Sequence, residues 1–372
     1  MPDLVRNNLI LALNRLFERF SLTYSLISKV SKPILVIKFG TASITLPSGE
    51  PDTRIISEIA RQVSEIHSQY RIIIVSSGAV GAGKAFIQDY KGSMTQRKAA
   101  ASVGNPLLVG LYATHFAPNK IYIAQSLCER QHFANRDKFL QLKETFEELW
   151  GNDIIPIVNE NDVVSDMELK FSDNDELATL LAVGFGAETL MFCTSVGGLL
   201  DENGKILRDV SDVNEVFKFV RTDKSFLGLG GMASKLTFAK LASRMAIKVV
   251  IFGMNQKDEL LKALNGEIGT IIQAGQSTLS ARNRWLGSGG LVSGRLKIDQ
   301  GASNALLKRK SLLVVGVTEV IGDFESGEII EIYSPEEEMI AVARARENSA
   351  AIRKNLKTIN FEVAHANDIV IL

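Results

Sequence analysis

Two lysines stand where a folded chain gains nothing from a charge unless something binds to it. Lys38 closes an apolar run and is followed by Phe39, Gly40, Thr41, Ala42 and Ser43. A lysine at the end of a buried strand, followed by glycine and small hydroxyl residues, can set a positive charge and free N–H groups beside a phosphate. The plainer alternative is an ammonium that escapes to solvent at a strand end. Lys235 comes at the close of Gly228-Leu229-Gly230-Gly231-Met232-Ala233-Ser234-Lys235, where a glycine loop enters a helix. A cation in a first helical turn opposes the helix dipole, and a bound anion would relieve that conflict.

Three polar stretches accompany the lysines. Ser76 to Gly83 reads SSGAVGAG and opens a helix with close backbone approach and N–H groups for an anion, or with only a tight helix–sheet contact. Asn159-Glu160-Asn161-Asp162 is dense enough in amide and carboxylate to hold an amino group and a carboxylate, or to be a solvated loop. Leu169 to Leu181 reads LKFSDNDELATLL, and either Ser172 with Asp175 or Asp173 with Glu176 fits a capping box. Capping leaves Asn174 and one aspartate without a task. Two lysines, two glycine-rich helix starts and two acidic clusters suit phosphoryl transfer, in which catalysis is mostly positioning and charge. The phosphate loop that ends in Gly-Lys-Ser/Thr is absent.

The elements that must position these residues can be read from apolar patterning. ILVIKFG (34–40), RIIIVSSG (71–78), IYIAQ (121–125), DIIPIVNE (153–160), ETLMFCTS (188–195) and KVVIFG (248–253) are short β-rich runs. Helical stretches lie between several of them, at Thr53 to Ser68, Lys138 to Trp150 and Met232 to Ala246. Such alternation predicts an α/β fold, a mostly parallel open sheet with helices on both faces. Ligands then bind beyond the carboxyl ends of the strands, where the polar stretches fall. LLDENGKIL (199–207) reads as a β-hairpin about Asn203-Gly204. After Gly269 the texture changes, and SARNRWLGSGGLVSGR (280–295) leads to short strands and one helix near Gly301 to Lys310. The expected organisation is an extension over 1–30, a catalytic domain over 31–280, a linker over 281–291 and a small β-rich domain over 292–372.

Composition sets the outer limits. The chain has 372 residues, 46% apolar and 23% charged, with zero formal net charge, so no global basic field draws it to nucleic acid or membrane. Cys128 and Cys193 form no ligand or redox motif, and four scattered histidines offer no metal spacing, so no metal-ligating residue is assigned. The cysteine usage is consistent with a reducing cytoplasm. No apolar run reaches the roughly 20 residues of a membrane helix. NNLILALNRLFERF, near the start, carries Leu9, Leu13, Leu16, Phe17 and Phe20 at helical spacing and reads as an appended amphipathic helix rather than a leader.

VIKFGT (36–41), VSSGAVGAG (75–83), VNEND (158–162), FSDNDEL (171–177), GLGGMASK (228–235) and NRWLGSG (283–289), in this order and spacing, resemble the amino-acid-kinase superfamily. Within it they resemble the bacterial branch that phosphorylates glutamate and carries a C-terminal PUA domain. The resemblance spans about residues 33 to 372. It implies transfer of the ATP γ-phosphoryl group to the side-chain carboxylate of L-glutamate, the first step of proline biosynthesis. It also implies Mg²⁺, feedback inhibition by proline and a homo-oligomer. By matching motif, Lys38 and Lys235 would neutralise the transferring group, with Asp175 orienting both. Ser77, Asp162 and Asn174 match glutamate-binding positions, with Asn159 and Asp173 nearby. Leu229, Gly230, Gly231, Met232, Ala233, Ser234 and Lys235 match the nucleotide loop, and Thr194 with Ser195 a nucleotide-contacting pair, which Lys38 also joins.

The implied chemistry is coherent from below. A glutamate carboxylate, with a pKa of about 4.3, is already ionised at neutral pH and needs no general base. The lack of a histidine or triad candidate is therefore expected.

The chain departs from the superfamily pattern in four places. Ser195 stands where Asp is usual, and Gly197-Gly198-Leu199-Leu200 replaces Asp-Gly-Leu-Tyr. Asn105 stands for Gln, and residues 1–30 are an extension with no implied role. The PUA-like region holds ten Lys/Arg against twelve Asp/Glu, no electrostatic footprint for RNA. A related kinase for another carboxylate, or a non-catalytic sensor or RNA-binding protein on this fold, is the alternative.

Overall fold

The computed structural model describes residues 32–134, 136–164, 174–210, 216, 232–275 and 292–371. The extension over 1–30, Ser172, Asp173, Leu229, Gly230, Gly231 and the linker over 281–291 lie outside the described residues.

Among the described residues, eight strands make the first sheet: β1 (Ile34–Phe39), β2 (Arg71–Ser76), β3 (Tyr122–Cys128), β4 (Ile154–Glu160), β5 (Thr189–Cys193), β6 (Asp209–Val210), β7 (Lys248–Phe252) and β8 (Thr270–Ile272). Their order is β3-β4-β2-β1-β5-β7-β8-β6. Every neighbouring pair is parallel except β7 with β8. The chain leaves β1 toward β2 on one side and reaches β5 on the other. That reversal of direction puts a crevice at the carboxyl ends of β1, β2, β4 and β5.

The central strands β1, β2, β4, β5 and β7 are buried on both faces, which explains why they read as nearly unbroken apolar runs, while the edge strand β3 is largely exposed or half-buried. Leu35, Ile37 and Phe39 of β1 pack with helices α1 (Thr53–Ile66), α2 (Met94–Phe116) and α3 (Glu259–Leu264). Ile34 and Val36 face the opposite way, toward helices α4 (Arg136–Gly151), α5 (Asn174–Phe185) and α6 (Met232–Arg244). Side chains alternate along a strand, so Lys38 shares the face of Val36 and meets α5 and α6.

The long helix α2 is not among the stretches read from the sequence. Its middle, Gly104-Asn105-Pro106, carries the residue types of a turn, and Pro106 has no N–H for the helical ladder. Tertiary packing overrides that local signal. Ala100, Ala101, Gly104, Asn105, Leu108, Tyr112 and Phe116 are buried along one side of the helix. The expected hairpin is reduced to one antiparallel bridge, Leu200 with Ile206.

The C-terminal region forms a five-stranded sheet around β9 (Val292–Ile298), with a two-stranded sheet and the helix Gln300–Leu307 beside it. Leu296, Ile298, Leu306, Ile330, Ile332 and Ala343 are buried in its own apolar core.

Candidate active site

Lys38, next to last in β1, and Asp175, second residue of α5, meet at 2.5 Å between Nζ and Oδ1. Lys235, in the first turn of α6, donates from Nζ to the other oxygen, Oδ2, at 2.9 Å. Asp175 is fully buried, and the two lysines expose 5% and 8%. Burial alone would push the Asp175 carboxyl up; Lys38 and Lys235 outweigh it and hold the group below the usual carboxylate range. Two ammonium groups and one carboxylate leave a net positive charge among these three buried groups.

The same helix start carries the polar neighbour. Asn174 Nδ2 donates to Ser77 Oγ at 2.8 Å and to Asn159 Oδ1 at 2.9 Å. Asn159 Nδ2 in turn donates to Asn105 Oδ1 at 3.0 Å. Ser77 follows β2, the neighbour of β1, and Asn159 lies near the end of β4, the next strand out, so parallel pairing brings both to the same edge of the sheet as the end of β1. Asp162 is half-buried in the turn just after β4.

Glycines set the depth of this corner. Gly78 has φ near +104°, a left-handed conformation that an L side chain rarely adopts, and it starts the short helix Ala79–Gly83. A Cβ on Gly83 would overlap the Ala100 carbonyl, and one on Gly104 would overlap that of Ala79. The short helix and α2 therefore touch backbone to backbone. Below the corner, Ser76 Oγ and the buried Tyr112 hydroxyl lie 3.0 Å apart.

On the far side of β1, Thr194 is buried just after β5 and its Oγ1 accepts from the Gly197 N–H at 3.1 Å. Ser195 is exposed, and its carbonyl accepts from Asn255 Nδ2 at 3.2 Å. Met232, Ala233 and Ser234 form the start of α6 ahead of Lys235.

The structure thus brings together Lys38, Asp175, Lys235, Ser77, Asn174 and Asn159. Asp175 gives an oxygen to each lysine, and Glu176 pairs with Arg130 at 2.6 Å; the capping partners Ser172 and Asp173 lie outside the described residues. Asn105, a departure from the superfamily pattern, and Arg130 are further residues of this corner that no sequence motif assigns to it. Arg130 carries no local signal, and Asn105 sits in a Gly-Asn-Pro stretch with the residue types of a turn, so neither reads locally as a buried polar group.

The model of the amino acid kinase family matches residues 33–253, and that of the PUA domain matches residues 294–366. The glutamate 5-kinase of Proteus mirabilis (strain HI4320) is 36% identical over 335 residues, 87% of this chain and 91% of the relative. That of Klebsiella pneumoniae (strain 342) is 34% identical over 331 residues, 86% and 90% of the two chains. That of Escherichia coli O1:K1 / APEC is 33% identical over 332 residues, with 86% and 90% covered. With a family model matched over more than half its length and relatives aligned nearly end to end, the chain belongs to the amino acid kinase family and carries a C-terminal PUA domain.

Proposed function

We propose that the chain transfers the γ-phosphoryl group of ATP to the side-chain carboxylate of L-glutamate, giving L-glutamyl 5-phosphate for proline biosynthesis. The observation that carries the reading is the Lys38–Asp175–Lys235 bridge beside the Asn174–Ser77 pair. Relatives that bear the name glutamate 5-kinase support the substrate.

The difficulty in this reaction is to bring two anions together, and it calls for preorganised positive charge rather than proton transfer. Lys38 and Lys235 supply that charge. Asp175 fixes where both ammonium groups sit and, remaining ionised, stops the two cations from repelling each other apart. Ser77, Asn174 and Asp162 hold the amino acid. Ser77 accepts from Asn174 and so keeps its own hydroxyl hydrogen for a carboxylate oxygen. Thr194, Ser195 and the loop Leu229 to Lys235 take the nucleotide.

The surplus positive charge of the bridge fits the phosphates of ATP. Mg²⁺ would be held mainly by the nucleotide's phosphates and water, where it would supply further neutralising charge.

The reading also includes proline as feedback inhibitor, a homo-oligomer, no RNA partner and a cytoplasmic site of action, the last in keeping with the free, buried Cys128 and Cys193. Among the described residues no helix is long and apolar enough to cross a membrane.

The test is ATP- and Mg²⁺-dependent acyl phosphate formation, trapped with hydroxylamine, from glutamate, aspartate and N-acetylglutamate. Hydroxamate from glutamate is expected. Its absence with folded protein, or a clear preference for another carboxylate, overturns the reading.

A further inference from the structure

Three side-chain amides run in file beneath the strand ends, and the file has a direction. Asn105 Oδ1 accepts from Asn159, Asn159 Oδ1 accepts from Asn174, and Asn174 Nδ2 also donates to Ser77. An amide oxygen only accepts and an amide nitrogen only donates, so each link fixes the orientation of the next. Asn105 stands at the head of the file. By presenting its oxygen to Asn159 it turns the Asn159 oxygen toward α5, and this turns the Asn174 nitrogen inward. Asn174 Oδ1 is left buried, with no hydrogen-bond partner among the described residues. Beside it is the Ser77 hydroxyl, whose hydrogen is still available.

Asn105 is 4% exposed, and its own Nδ2 is also buried without a partner among the described residues. Buried polar atoms are almost always paired, and an apolar residue of similar size would leave no such orphan. An asparagine here has its physical justification in the oxygen that meets Asn159. The backbone contact of Gly83 and Gly104 with the opposing helix holds that oxygen in place.

We propose that Asn105 is a positioning residue for the amino-acid substrate, setting the polarity of the Asn159–Asn174–Ser77 file so that it offers an acceptor and a donor side by side. A free amino acid carries the matching pair, an ammonium donor and a carboxylate acceptor. The inference rests on the reading of the chain as a glutamate kinase. Asn105 acts through Asn159 and Asn174, so its effect belongs to amino-acid affinity and not to the nucleotide.

The test is steady-state kinetics of the full chain with wild type, Asn105→Leu, Asn174→Ala and the double variant. Asn105→Leu should raise the KM for glutamate at least tenfold and leave the KM for ATP within twofold. The double variant should be no worse for glutamate than Asn174→Ala alone, because the first change acts through the second residue. An unchanged KM for glutamate, an equal rise in both KM values, or multiplicative effects in the double variant would overturn the proposal. If the leucine variant does not fold, Asn105→Ala is measured in the same way. The wild type separates the two levels: no hydroxamate from glutamate defeats the parent reading. The series is then read on the carboxylate that is phosphorylated, or on equilibrium glutamate binding if none is.

Discussion

Lys38 Nζ lies 2.5 Å from Asp175 Oδ1 at the carboxyl end of the central strand, and both side chains are almost wholly withdrawn from water. The second oxygen of the same carboxylate meets Lys235 at 2.9 Å. One acid therefore aligns two cations that approach from different elements.

The charge count gives an order of effects. Lys235→Ala leaves a neutral Lys38–Asp175 pair, whereas Asp175→Ala leaves two buried cations facing each other. Asp175→Ala should cost on the order of 3–5 kcal/mol of stability and Lys235→Ala clearly less. Both should lower kcat by roughly a hundredfold or more: Lys235→Ala removes positive charge that stabilises the transition state, and Asp175→Ala releases both ammonium groups from their positions. Urea unfolding together with the hydroxamate assay checks the ranking; equal stability losses would contradict it.

Several carboxyls are held low and contribute to acid stability, Glu58 and Asp175 among them. The Arg61 side chain holds Glu58 down to about 2 against the effect of burial, and Asp175 is lowered by its lysines despite burial. A carboxyl with a depressed folded pKa stabilises the fold above its unfolded pKa, and that stability is lost as pH falls through the folded value. For Glu58 the window runs from its ordinary value of about 4.3 down to about 2. Glu58→Gln should flatten the stability–pH curve in that window, with a change on the order of 1–2 kcal/mol after allowance for solvent screening. Urea midpoints measured from pH 5 to pH 3 test this.

Glycines in one helix should respond to alanine with opposite signs. Gly104→Ala drives a methyl into the Ala79 carbonyl and should destabilise by about 1–3 kcal/mol or more while raising the KM for glutamate. Gly110 is exposed in the same helix with open space around it, so Gly110→Ala should stabilise by up to about 1 kcal/mol. Thermal melts of the two variants decide.

Arg130 and Glu176 tie the loop after β3 to the helix start that carries Asp175. Their ion pair is 2.6 Å long, and the Glu176 side chain is only 6% exposed. Arg130→Ala should cost on the order of 2 kcal/mol, below the range for fully buried pairs because the guanidinium is part-exposed. Arg130→Met with Glu176→Leu should recover much of that loss. A double variant as unstable as Arg130→Ala would show that the pair matters beyond its charge balance.

Residue order alone determined six of the eight strands of the first sheet, because a strand buried on both faces needs an unbroken apolar run and β1, β2 and β4 have one; the short strands β6 and β8 were not legible. It also determined that polar and glycine-rich stretches follow those strands, and parallel pairing then requires them to share one edge. The long helix α2 was not legible, since Gly104-Asn105-Pro106 has the local chemistry of a turn and only packing against the short helix Ala79–Gly83 overrides it. Nor did the acidic window settle its own role: Asp175 could cap a helix or bridge lysines until the fold set it between Lys38 and Lys235. Spacing along a chain carries the period of a helix or a strand and says nothing about partners far apart in sequence. The bridge and the Asn105–Asn159–Asn174 file exist only because a parallel sheet and two helix starts converge on one corner.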